Sequence, residues 1–287
     1  MTKPIGNPLS WAADAAFGAG RGAVDMAEAL RGHADTPPAV HELSLDDLRG
    51  ALRKGIEDFG ALRSDVIFLI LIYPLIGLAL VLTAFETARL PMLFPLAAGF
   101  TLLGPVVATG LYEMSRQREA TGTAGWGAAF SVISAPVIVP VLVLGALLMA
   151  LFLAWMFAAY LIHAATLGPT PPESVAGFAA EVLTTGPGWA MIVLGTGVGA
   201  GFAALVLAVS LTAFPMLIDR RAGVTVAVLT SLKVVRQNPR VTAVWGLIVA
   251  VAMALGTLPL FLGLMIVLPV LGHATWHLYR AAVPGGA

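Results

Sequence analysis

The hydrophobic positions of this chain fall into long, uncharged runs separated by short polar segments. A helix that crosses a bilayer core about 30 Å thick needs roughly 20 consecutive, mostly apolar residues. The last run, residues 241–279, would be about 58 Å long as one helix, so the sequence Gly256–Pro259 is expected to break it into a hairpin. The pattern therefore predicts six membrane spans, at about residues 66–85, 90–112, 136–162, 189–218, 241–258 and 260–279.

Short amphipathic segments precede several of these spans. Ser44 can cap a helix that has Asp47 in its first turn. The apolar residues that follow at helical spacing are Leu45, Leu48, Leu52, Ile56 and Phe59. Segments 125–130 and 224–237 are similar, so we expect three cytoplasmic interfacial helices whose basic side chains reach anionic lipid headgroups. The interfacial basic residues expected are Arg49, Arg53, Lys54, Arg220, Arg221, Lys233 and Arg236.

The basic residues also predict the orientation of the spans. Of the 16 Lys and Arg residues, all except Arg89 would lie on one side of a six-span topology. We therefore expect both termini to be cytoplasmic, in a bacterial cytoplasmic (inner) membrane. Residues 1–40, rich in Gly, Ala and Pro, are predicted to form a mobile cytoplasmic tail, residues 41–283 the membrane domain, and residues 284–287 a short second tail.

Composition agrees with this all-α, polytopic transmembrane helix bundle. Hydrophobic residues make up 59% of the 287 positions, charged residues only 11%, and the mean hydropathy is +0.91. A soluble domain carries about 25% charged residues. The formal net charge of zero excludes a nucleic-acid binder that works through a dominant basic field. Because the chain contains no cysteine, disulfides, thiolate metal sites and cysteine nucleophiles are also excluded.

The sequence offers little catalytic chemistry. No Asp, Glu, Lys or Arg lies within an apolar run, which argues against a proton-coupled or cation-coupled transporter. No Ser/His/Asp set, carboxylate pair or metal-ligand cluster is recognisable from spacing. We therefore predict that the protein is not an enzyme and holds no metal or cofactor.

His273 and His277 are the sharpest candidates for a binding site. Their spacing of four places both imidazoles on one helix face, as a metal-binding pair requires. A haem would need axial ligands from opposite sides of the iron, which one helix face does not supply. The favoured interpretation is an interfacial helix end whose histidines reach headgroups or cytoplasmic loops, and cofactor binding is the weaker alternative.

Glycines form two overlapping small-xxx-small patterns in the fourth predicted span. Such glycines let a second helix approach closely in a membrane, where lipid provides no hydrophobic driving force for association. Close packing within the chain is the favoured interpretation, with homodimerisation or a partner helix as the alternative. The residues concerned are Gly195, Gly197, Gly199 and Gly201.

Four segments resemble a known family of bacterial integral membrane proteins, a domain of unknown function. They begin at His41 (HELSLDDLRGALRKGIEDF), Gly110 (GLYEMSR), Phe214 (FPMLIDRR) and Leu271 (LGHATWHLYR), so that the resemblance covers roughly residues 40–283. It implies a six-span inner-membrane protein without an assigned activity. Some members are labelled as cytochrome c oxidase subunits, which implies at most an accessory role here, because haem–copper chemistry needs several histidines from different helices.

Two functions from different classes follow from these observations. The first is a non-catalytic accessory or structural component that packs against another membrane complex, possible examples being respiratory or electron-transfer complexes. The second is a passive transporter or channel for an uncharged or lipid-like solute. The partners expected are the lipid bilayer and either a membrane protein or a second copy of the chain, and no nucleic acid.

Overall fold

A computed structural model describes residues 36–84, 90–102, 104–134, 137–170, 172–220, 222–259 and 261–285, together with Ala27. Throughout these ranges the regular structure is helical, and no β-strand occurs in them. The predicted all-α class is confirmed for this part of the chain. Most of the predicted N-terminal tail and Arg221 lie outside it.

The first described helix, α1, is a single element of 40 residues, Leu45–Ala84. Ser44 caps it as expected: its Oγ accepts a hydrogen bond from the Asp47 backbone N–H at 3.1 Å, and the Asp47 carboxylate accepts one from the Ser44 backbone N–H at 2.8 Å. The sequence prediction of a separate interfacial helix before a span at 66–85 is corrected by this continuity. No proline separates the two predicted parts.

The buried face of α1 also differs from the predicted one. Leu45 and Ile56, both on the predicted apolar face, are exposed. The residues buried between 45 and 62 are instead Leu48, Ala51, Gly55, Asp58 and Leu62. These residues recur at spacings of three and four, which is typical of one helical face. They include a glycine and an aspartate, which a search for large apolar residues does not detect.

The described residues of the second predicted span, 90–112, belong to α2 (Leu90–Leu102), α3 (Gly104–Val107) and the start of α4 (Thr109–Thr121). Pro95 lies within α2 and Pro105 within α3, and proline removes a backbone donor from the helical ladder. The short helix α5, Trp126–Ser134, follows.

Three helical stretches of the described chain are long and apolar enough to cross a membrane. They are α6 (Ile138–Thr166), α8 (Gly186–Ser210) continued by α9 (Ala213–Arg220), and α11 (Pro239–Thr257). They match the predicted spans 136–162, 189–218 and 241–258. The short helix α7, Val175–Thr184, connects α6 to α8. The other three predicted spans are not among these candidates, so a six-span topology stays a prediction.

The interfacial segment predicted at 224–237 and the span predicted at 260–279 are both largely helical. α10 covers Val224–Gln237 and α12 covers Leu264–Ala282. The hairpin expected near Gly256–Pro259 is present, because α11 ends at Thr257 and α12 begins at Leu264. A Cβ placed on Gly263 would lie 2.8 Å from the Gly256 Cα, so the two chain segments approach as only glycine allows.

Burial is concentrated at one end of the molecule. Six consecutive residues of α9, Ala213–Ile218, are buried, as is most of the second half of α12. By contrast, only four residues of α8 are buried. The largest side chains with almost no exposed surface are Trp245, Trp276, Tyr279, Phe214, Met114, Leu144 and Leu148. The fold therefore combines a packed end, which includes polar side chains, with apolar helices that leave large hydrophobic residues exposed.

Candidate functional site

The candidate site is built around the second half of α12, which packs antiparallel against the first half of α1. The backbone N–H of His41 donates to the Ala282 carbonyl near the end of α12, and Gly55 lies against Ala274 farther along. A Cβ on Gly55 would be 2.6 Å from the Ala274 backbone nitrogen. This close approach brings the polar residues of α1, α4 and α12 within hydrogen-bond distance.

Asp58 of α1 lies at the centre of these polar residues. Its Oδ2 accepts a hydrogen bond from Ser115 Oγ at 2.6 Å and lies 2.9 Å from His277 Nε2. Its Oδ1 accepts a hydrogen bond from the Arg118 guanidinium. Ser115 Oγ also lies 2.7 Å from His273 Nδ1. We call Asp58, Ser115, Arg118, His273 and His277 the Asp58 cluster.

The Asp58 carboxyl is ionised near neutral pH. Burial raises the pKa of Asp58, but hydrogen bonds from His277 and Ser115, together with the positive charge that the histidines carry at the acid pH where Asp58 titrates, outweigh burial and lower this pKa to about 2. The carboxylate is well satisfied, since both of its oxygens accept hydrogen bonds. Burying this charge has a desolvation penalty that its hydrogen bonds offset, so the removal of one partner would be costly.

A second polar group surrounds the end of α12. Tyr279 Oη donates to Asp219 Oδ2 at 2.7 Å and accepts from Arg220 Nε at 3.1 Å. Arg280 bridges two helices, because it lies 3.1 Å from Glu119 Oε1 and 3.4 Å from Asp219 Oδ2. These contacts tie α4 and α9 to α12. They also surround the second half of the span predicted at 260–279 with charged side chains, and this span stays a prediction.

The segment before α1 is held by a third set of contacts. Asn238, between α10 and α11, accepts a hydrogen bond from the Leu43 N–H at 2.6 Å and donates to the His41 carbonyl at 3.1 Å. Lys233 Nζ donates to the Pro38 carbonyl at 3.3 Å. Residues 38–43 are therefore attached to α10 and to the end of α12.

The two histidines singled out in the sequence both belong to the Asp58 cluster. His273 has no exposed surface, and His277 is largely buried. In this structure they contact protein groups, Ser115 and Asp58, and not the loops that the favoured interpretation suggested. Among the described residues, no group of three or more His, Asp or Glu side chains that could hold a metal ion occurs.

The predicted interfacial basic residues have different surroundings. On α1, Arg49 pairs with Asp46 at 2.8 Å and Arg53 with Glu57 at 3.7 Å, and all four side chains are exposed. Lys54 and Arg236 are exposed as well. Arg220 instead points into the protein, where it donates to Tyr279 and to the carbonyls of Val283 and Pro284. Lys233 holds the Pro38 carbonyl.

The four glycines of α8 do not share one environment. A Cβ on Gly199 would lie 2.9 Å from Trp155 Cη2 of α6, so this glycine permits close packing within the chain. The corresponding positions on Gly195, Gly197 and Gly201 meet no described atom within 4 Å. Because a helix turns about 100° per residue, Gly197 and Gly201 lie on the side of α8 away from Gly199.

The geometry does not resemble a hydrolytic triad, although it contains a serine, a histidine and an aspartate. Ser115 is only 1% exposed and its hydroxyl donates directly to the Asp58 carboxylate. A serine nucleophile must donate to its base and reach a substrate. The arrangement can therefore hold helices together and exchange a proton, but it does not present a nucleophile.

Sequence reasoning missed Asp58 and Ser115 as members of a site. Ser115 is 57 residues from Asp58 and 158 residues from His273, so no local spacing connects them. The one usable signal was Asp58 itself, which follows Leu48, Ala51 and Gly55 at helical spacing and so lies on a face of small and apolar residues.

These long apolar helices define an integral membrane protein. The model of the family described as "Predicted integral membrane protein (DUF2189)" matches residues 92–219, somewhat less than half of the chain. The resemblance to integral membrane proteins of unknown function is confirmed over these residues, which include Ser115 and Asp219 but neither Asp58 nor the two histidines. No curated protein and no solved structure matches the chain.

Proposed function

We propose that this protein is a non-catalytic component of a bacterial cytoplasmic membrane that packs against another membrane complex as an accessory or structural subunit. Both termini would lie in the cytoplasm, where 15 of the 16 basic residues would also lie, since Arg89 is the one exception. The label that some members of the resembling family carry makes a respiratory or electron-transfer complex the first candidate partner.

The observation that carries the proposal is the open side of α8. A glycine inside a helix destabilises it by about 0.5–1 kcal/mol relative to alanine. At Gly199 the absence of a side chain allows Trp155 to pack closely, which offsets this cost. A Cβ placed on Gly197 or Gly201 would meet no described atom within 4 Å. A small-xxx-small pair that faces outward from a membrane helix is the surface on which a second helix packs closely. This surface favours a protein partner over lipid alone.

The alternative of a passive transporter has less support. Such a protein would need a polar cavity between its helices, open to one side. The space between the described helices is filled by large buried side chains, among them Leu144, Leu148, Phe214 and Trp245. The accessory role is therefore the function that we favour.

Purification from native membranes with a mild detergent tests the proposal. We expect a tagged wild-type chain to co-purify with another membrane protein in a fixed ratio, and Gly197→Leu to lose that partner. Gly195→Leu is the matched control, because its Cβ position is also open but lies about 160° away around the helix. A wild-type chain isolated as a lone monomer would overturn the proposal, as would equal partner retention by the two variants. Recovery of a second copy of the chain alone would replace the accessory role with homodimerisation.

A further inference from the structure

The ionised Asp58 determines where the protons of the Asp58 cluster lie. A carboxylate only accepts hydrogen bonds. The Ser115 hydroxyl, 2.6 Å from Asp58 Oδ2, must therefore donate its single proton to the carboxylate. Ser115 Oγ has no proton left for His273, so the contact of 2.7 Å between Ser115 Oγ and His273 Nδ1 requires Nδ1 to donate.

This chain of donors fixes the tautomer of His273. With its proton on Nδ1, a neutral imidazole has a bare lone pair on Nε2. His273 Nε2 is buried and has no hydrogen-bond partner among the residues that the structure describes. His273 is also one of the few large side chains with no exposed surface. Nε2, the ring nitrogen that would accept a proton, is thus buried without a hydrogen-bond donor or a negative charge in contact with it.

The charged groups around His273 do not favour protonation of its neutral ring. From α1 the ring faces Asp58, whose Oδ2 is 4.0 Å from Nδ1 but already pairs with Arg118 and His277. On α12 itself, His277 lies one turn away. Described charged side chains of the neighbouring helices are paired with other groups, namely Glu113 with Arg116, Glu119 with Arg280, and Asp219 with Tyr279 and Arg280.

We propose that His273 makes the junction of α1, α4 and α12 a proton-operated latch, closed while its ring is neutral and released when Nε2 takes up a proton from solvent. The added proton converts the imidazole to imidazolium and places an unpaired N–H donor in the buried site. Burying such a charge without a partner is costly. His273 Nε2 therefore stays unprotonated while the junction is closed and binds a proton when the junction opens.

The size of the effect follows from proton linkage. An exposed histidine has a pKa of about 6.5, so the open junction binds one more proton than the closed one below about that pH. The opening constant then rises about tenfold for each pH unit, and is about 30-fold larger at pH 5.0 than at pH 7.4. The junction is stable above this range and loosens as the pH falls.

Hydrogen–deuterium exchange of the full chain in detergent or nanodiscs tests the latch, after correction for intrinsic exchange rates. For the wild type we expect amides of residues 109–121 and 271–282 to exchange about 30-fold faster at pH 5.0 than at pH 7.4. His273→Asn removes the titration but keeps an N–H near the position of Nδ1 for Ser115, so its exchange should not respond to pH. His277→Gln is the matched control, because its amide still donates to Asp58 and the pH response should persist.

Several results would overturn the latch. They are a wild type without a pH response, a response that persists in His273→Asn, or one that disappears in His277→Gln. If His273→Asn fails to fold, nitrogen NMR of the wild type labelled at its five histidines decides. A ring with its proton on Nδ1 that gains a second proton as the junction opens supports the latch, and the absence of such a ring contradicts it.

Discussion

The replacement of Gly55 by alanine tests the packing of α1 on α12 directly. The new Cβ would lie 2.6 Å from the Ala274 backbone nitrogen, 2.7 Å from its Cβ and 2.8 Å from its Cα. Carbon atoms in van der Waals contact are about 3.5–4.0 Å apart. Since two of these atoms are backbone and the third is a rigid methyl group, no side-chain rotation relieves the clash, and the helices must separate by about 1 Å.

The expected cost is that of overpacking, about 1–3 kcal/mol. It includes weakened contacts in the Asp58 cluster, since Asp58 is the next residue on the same face of α1. The chain offers two controls on α1, Gly50→Ala and Gly60→Ala, where the added Cβ meets no described atom within 4 Å. These variants should gain about 0.5–1 kcal/mol, because alanine is the better helix former.

Thermal unfolding in one detergent, followed by circular dichroism, measures the difference. A change of 1 kcal/mol moves the midpoint by roughly 2–4 °C in a chain of comparable size. We expect Gly55→Ala to melt several degrees below the wild type and both controls to melt at or above it. If Gly55→Ala behaved like Gly60→Ala, the close packing of these two helices would be refuted.

Two further predictions concern the polar contacts. The lowered pKa of Asp58, about 2 against the usual 3.8, stabilises the folded state above about pH 4, and this contribution of about 2 kcal/mol is lost as the pH falls toward 2. Unfolding midpoints between pH 5 and pH 2 should therefore decline less steeply in Asp58→Asn, and equal slopes would contradict the pairing. Tyr279→Phe should cost about 1–3 kcal/mol, because Asp219 loses a donor and Arg220 an acceptor. An unchanged melting midpoint in this variant would show that water replaces the hydroxyl.

Local chemistry made parts of the fold predictable. The Ser44–Asp47 cap could be read from the sequence because both partners lie within one helical turn. The break between α11 and α12 was visible in the glycine and proline near Gly256–Pro259. The three confirmed candidate spans are the runs whose apolar character continues without interruption for at least 18 residues.

The Asp58 cluster could not be predicted in the same way. Its members lie on three helices, and His277 is 219 residues from Asp58. Hydropathy also gave no sign of the polar surroundings of α12, because the charges that pair with this helix belong to other helices. Because the buried face of α1 includes Ala51 and Gly55, the spacing of large apolar residues indicated a neighbouring face, which was predicted to lie at the membrane interface.

The continuity of α1 has a mechanical consequence. A helix rises about 1.5 Å per residue, so Pro74, where a kink is most expected, lies about 28 Å from the contact at Gly55. Helices bend little over such a distance without a proline. With Gly55 as the pivot, a tilt of roughly 10° would displace the helix at Pro74 by about 5 Å. A small change at the charged end of α1 would therefore be enlarged toward its middle.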